Sequence, residues 1–68
     1  MKYSNEDEVF EAVATDRDPR DEGAQVLYRT ADASRSVAVL RAKTYASWGH
    51  FATVYAPDGE AVFELKGA

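Results

Sequence analysis

The sequence predicts an α+β fold in which a four-stranded antiparallel sheet packs one face on a single helix. Three observations point there. The C-terminal third reads as a hairpin with a defined turn, an alanine-rich middle segment carries helix end signals, and a run of β-formers follows a glycine. The expected order is β-β-α-β-β, in one small α+β domain over residues 1–68. An N-terminal helix followed by a four-stranded antiparallel meander is the alternative.

The opening segment, "NEDEVFEAVATD", is where these two orders part. As a helix it would start at Ser4, with Glu6, Asp7 and Glu8 in the first turn and Val9, Phe10 and Val13 on one face. As a strand, Val9, Glu11 and Val13 alternate with Phe10, Ala12 and Ala14, and the segment pairs with residues 24–30. The next stretch, "TDRDPRDEG", is charged at six of nine positions, with Pro19 and Gly23 punctuating it. After it, "AQVLYRT" is rich in β-formers and reads as the second strand.

The segment "ADASRSVAVLRAKTYASWGH" favours a helix from about Ala33 to Ser47. Five alanines between residues 31 and 46 support it. Asp32 would cap its start and Gly49 would end it. Its core stripe would be Ala33, Val37, Leu40, Thr44 and Trp48. A strand over "VAVLRAKTY" is the weaker reading.

In "HFATVYAPDGEAVFELKG", Pro57, Asp58 and Gly59 suit a three-residue loop. With Ala56 facing Glu60, Tyr55 would face Ala61, Thr53 would face Phe63 and Phe51 would face Leu65. The odd positions then form one apolar face. The expected core is Val37, Leu40, Trp48, Phe51, Tyr55, Phe63 and Leu65.

Composition limits the function classes. A chain of 68 residues buries only about 60% of its unfolded surface, so its stability is modest. It has no cysteine for a disulfide or thiolate site. No apolar run approaches the roughly 20 residues of a membrane span, and the acidic start does not resemble a signal peptide. A cytoplasmic location is the expectation. The net charge of −4 is uneven: residues 1–22 carry three basic groups against eight acids, while Arg29, Arg35, Arg41 and Lys43 cluster in the middle. That polarity disfavours nonspecific DNA binding by the whole surface.

Candidate chemistry is sparse. Asp16, Asp18 and Asp21 could offer oxygens to calcium, but counting from Asp16 places Arg20, Asp21 and Leu27 where an EF-hand needs an oxygen ligand, glycine and glutamate. His50 is the only histidine, the four glycines are isolated, and no nucleophile elbow is present. No enzyme activity, metal or cofactor is expected. Arg29, Arg35, Arg41 and Lys43 with Tyr45 or Trp48 would suit nucleic-acid contact. The acidic front would instead suit mimicry of nucleic acid, or serve only solubility.

The chain resembles small phage-encoded anti-CRISPR proteins that inhibit type I surveillance complexes. The matching stretches are "DEVFEAVATD" as first strand, "RDPRDEG" as polar loop, "AQVLYRT" as second strand, "DASRSVAVL" as helix start and "HFATVYAPDGEAVFEL" as closing hairpin. This order decides for a strand at the N-terminus. The resemblance implies a non-catalytic inhibitor that attaches to a CRISPR-Cas surveillance complex, or a Cas protein, and blocks target DNA in the bacterial cytoplasm. Such proteins use lysine-rich surfaces, whereas this chain has three lysines. The expected partner-binding residues are Asp16, Asp18, Asp21, Glu22, Tyr28, Arg29, Arg35 and Tyr45, on a monomer or weak dimer. A small nucleic-acid-binding regulator and an oligomerising structural module are the competing readings.

Overall fold

The structure, a computed structural model, describes residues 8–67; the acids Glu6 and Asp7 and the Ser4 helix start lie outside them. The elements are β1 (Phe10–Thr15), β2 (Val26–Asp32), α1 (Arg35–Ser47), β3 (Phe51–Tyr55) and β4 (Ala61–Leu65). They form one antiparallel sheet in the order β2-β1-β3-β4, with α1 packed on one face. The first segment is therefore a strand over Phe10–Thr15, and a leading helix is excluded there.

The helix begins two residues later than its alanines suggest. Ser34 is the N-cap, accepting the Val37 N–H at 3.4 Å, and Asp32 one step earlier accepts the Ser34 N–H at 2.8 Å. The two side chains thus share the work that the sequence assigned to Asp32 alone. Gly49, at φ 94°, turns the chain out of the helix as expected.

Rotation of the helix differs from the expected stripe. Its buried residues are Ala38, Ala42 and Tyr45, and they meet Ala12, Ala14, Ala52 and Val54 on the sheet. Leu40 is 63% exposed and Trp48 56% exposed, so neither belongs to the core; Val37 is half-buried. The physical reason is close approach. Ala38 and Ala42 of the helix meet Ala12, Ala14 and Ala52 of the sheet, so small surfaces lie together there, with the Tyr45 ring packed beside them. The largest fully buried side chain is Val54.

Register shifts reassign the hairpin faces. The turn closes as expected: the Ala56 N–H donates to Glu60 O at 2.7 Å, the Gly59 N–H to Ala56 O at 2.8 Å, and Gly59 has φ 93°. Tyr55 pairs with Ala61, also as expected. A bulge then inserts Val62, so that Phe63 pairs with Val54 and Leu65 with Ala52 rather than with Thr53 and Phe51. Phe63 and Leu65 consequently pack toward the helix. Phe51 and Tyr55, paired with Thr15 and Glu11, share the other face with Val13 and Thr53. A second bulge inserts Leu27 into β2 between the Thr15–Val26 and Ala14–Tyr28 pairs.

The sheet face away from the helix is also covered in part. Val13, Thr15 and Thr53 are buried there, and the charged loop between β1 and β2 supplies the cover. Pro19 and Arg20 lie beside Thr53, and Arg20 reaches Glu64 on β4.

Candidate interaction surface

The acidic loop is built from its own acids. Asp16 accepts the Gln25 N–H at 2.8 Å and donates its own N–H to Gln25 O at 3.1 Å, which closes the base of the loop. Asp18 accepts the Arg20 N–H at 2.9 Å, and Asp21 accepts the Gly23 N–H at 2.9 Å. These are Asx turns, in which a short carboxylate substitutes for a missing backbone acceptor. Of the four acids expected from sequence as partner contacts, Asp16, Asp18 and Asp21 hold the loop's shape, and Glu22 is left exposed. Among the described residues, no group of three or more His, Cys, Asp or Glu side chains is placed to hold a metal ion.

Arg20 makes the loop's longest connection. Its guanidinium donates to both Glu64 oxygens, at 2.8 and 2.7 Å, and to Asp18 Oδ1 at 3.3 Å. Hydrogen bonding and charge from Glu64, with charge from Asp18, raise the Arg20 pKa above the ordinary arginine value.

A second feature stands at the end of the helix. The Trp48 N–H and His50 N–H both donate to Tyr45 O, at 3.0 and 3.3 Å, and the Gly49 N–H donates to Ala46 O at 3.0 Å. This helix ending folds Trp48 and His50 back beside Tyr45, opposite Tyr28 of β2. The Tyr28 ring lies 5.7 Å from Tyr45 in a stacked arrangement, 5.5 Å from Trp48 edge-on, and 5.7 Å from His50. Trp48 and His50 meet edge-on at 6.5 Å. Below them the Tyr45 hydroxyl hydrogen-bonds Thr30 Oγ1. Aromatic pairs in these arrangements contribute about 0.5–1.5 kcal/mol each beyond burial, so the rings fix one another.

Exposure divides this cluster into support and surface. Tyr45, an expected partner contact, is 7% exposed and belongs to the core, where it supports the rings above it. Tyr28 and Trp48 are 49% and 56% exposed, and together they present an aromatic corner. The sequence suggests Trp48 for the core stripe or for stacking on nucleic acid, and His50 only as the start of the strand after Gly49. The available signal was the helix ending at Gly49, which forces residues 48–50 to the same end of the sheet as Tyr28.

The remaining candidates are dispersed. Strand alternation puts Arg29 on the face opposite Tyr28, where its Nε lies 3.6 Å from Glu11 Oε2. There it lines an open groove of about 480 Å³ with Val13, Thr15, Pro19, Val26 and Tyr55. Arg35 sits at the start of α1, with its guanidinium 3.5 Å from the Val62 carbonyl. Tyr28 and Tyr45 are thus brought together, whereas Arg29, Arg35 and the loop acids occupy separate places. No protein family, curated protein or solved structure was found to match this chain.

Proposed function

We propose that this chain is a non-catalytic binding protein that engages a protein partner through the corner formed by Tyr28, Trp48 and His50. The observation that carries this reading is the half-exposed Tyr28–Trp48 pair, held edge-on at 5.5 Å over a buried Tyr45. Exposed tyrosine and tryptophan are the residues most enriched at interface hot spots. A corner already fixed by ring contacts loses little side-chain freedom on binding, which favours affinity.

The partner is a CRISPR surveillance complex, as the β-β-α-β-β order and the matching stretches suggest, and binding obstructs its access to target DNA. Action on that complex places the protein in a bacterial cytoplasm. The test is target-DNA capture by a purified type I complex with and without this protein. Inhibition that disappears in Trp48→Ala, with the variant still folded, supports the reading. Unimpeded capture at saturating protein would refute the named partner. A gel shift with naked DNA or RNA at moderate salt separates the competing regulator, because tight binding without a protein partner would favour that class.

A further inference from the structure

The two sheet edges are treated differently. At the β4 edge, Glu64 is held by Arg20 and the Val62 carbonyl faces the Arg35 guanidinium. Such side chains obstruct an approaching strand. At the β2 edge no comparable cap is present among the described residues, and Val26, Leu27 and Tyr28 are all exposed. The helix packs chiefly on the two central strands, β1 and β3.

Hydrogen-bond alternation identifies which β2 groups face outward. Asp16 bonds Gln25, so Ala14, Ala12 and Phe10 turn their N–H and C=O groups toward β2. Thr30 and Asp32, paired with Ala12 and Phe10, face inward. Arg29 and Ala31 therefore present their backbone groups to solvent.

We infer that β2 pairs with β2 of a second copy, antiparallel about a two-fold axis at Thr30, joining the two sheets into one. The bulge at Leu27 leaves Tyr28–Asp32 as the regular part of the strand, and Thr30 is its midpoint. In this register Arg29 lies opposite Ala31 of the second copy, and each pair exchanges both N–H···O bonds. Tyr28 lies opposite Asp32, so no like charges face each other. A register centred on Arg29 would oppose two arginines and is disfavoured. A register centred on Tyr28 would run into the bulge. Because the axis is perpendicular to the sheet, both aromatic corners appear on one face, with the Tyr28 positions roughly 14 Å apart along the strands. The pairing uses the β2 backbone and needs no other partner.

Sedimentation over a concentration series tests this directly. The expected result is a dimer that dissociates on dilution. Ala31→Pro removes an outward donor from each copy without breaking a bond to β1, and should weaken the dimer about ten-fold or more. Ala31→Arg should also weaken it, by facing Arg29 of the second copy, and adding Arg29→Glu should restore association. If Ala31→Pro fails to fold by circular dichroism, the Ala31→Arg and double variants decide. A wild-type protein that stays monomeric at the highest concentration reached, or a dimer indifferent to both Ala31→Arg and its charge-swapped partner, would overturn the inference.

Discussion

Arg20 and Glu64 are 44 residues apart in the chain, and the Arg20 guanidinium donates to both carboxylate oxygens of Glu64 at 2.8 and 2.7 Å. This fork joins the β1–β2 loop to β4, at the opposite edge of the sheet from β2. The loop is thereby drawn over the sheet face that the helix does not cover, above Thr53.

Releasing this fork should loosen the loop more than the fold. In Arg20→Ala, amide exchange at residues 18–24 should accelerate, while Val13 and Val54 keep their protection. Exchanging the two charges, Arg20→Glu with Glu64→Arg, should slow the loop again. Added salt should reduce the difference, because the pair is exposed. The raised Arg20 pKa sets the sign on the alkaline side: the guanidinium's contribution is fully present below arginine's ordinary value and is lost as pH rises through the raised one. Unchanged loop exchange in Arg20→Ala would show that the fork does not hold the loop.

The helix–sheet interface makes an opposite pair of predictions for two neighbouring residues. Ala42 is fully buried against the sheet, so Ala42→Leu should destabilise by about 1–3 kcal/mol through overpacking. Leu40 faces solvent, so Leu40→Ala should change stability by no more than about 0.5 kcal/mol. Urea unfolding of both variants checks the rotation of α1. The reverse ranking would mean that the helix presents its Leu40 face to the sheet.

That ranking also marks how far the sequence could be read. The turn at Pro57–Gly59, the stop at Gly49 and the strand alternation in β1 are local, and each was legible because backbone chemistry within a few residues determines it. Helix rotation depends on what the sheet offers. Ala38 and Ala42 face Ala12, Ala14 and Ala52, and small surfaces on both sides outweighed the larger Val37 and Leu40. The bulges at Leu27 and Val62 were hidden for a related reason: one inserted residue reverses every face beyond it, with no change in composition. Tyr28 was singled out from sequence, but its companions Trp48 and His50 came to it only through the helix ending.

Individual acids of the loop should differ in their contribution to folding. The sequence suggests that reversing Asp16, Asp18 and Asp21 leaves folding almost unchanged, and the hydrogen bonds that these carboxylates accept from the loop backbone argue otherwise. Asp16→Ala leaves the Gln25 N–H without its 2.8 Å acceptor and should cost about 1 kcal/mol in urea unfolding. Glu22→Lys, at an exposed position outside the turns, should be close to neutral. Equal effects at Asp16 and Glu22 would remove the case for a structural loop.

Support and contact should separate within the aromatic corner. Tyr45→Phe deletes the hydroxyl bonded to Thr30 and should cost about 0.5–1.5 kcal/mol. Tyr45→Ala should cost about 3–5 kcal/mol, a large share of what so small a domain possesses. Trp48→Ala removes a half-exposed ring whose contacts are edge-on or tilted, so the loss should be nearer 1 kcal/mol. Binding should follow a different ranking. On the function proposed above, Trp48→Ala should abolish inhibition of a surveillance complex, and Tyr45→Phe should retain it, because the Tyr45 ring beneath Tyr28 is unchanged. Thermal melts and DNA-capture assays on the same three variants supply both rankings. If inhibition falls only in step with stability across the series, Trp48 is a folding residue and the aromatic corner is not the contact surface.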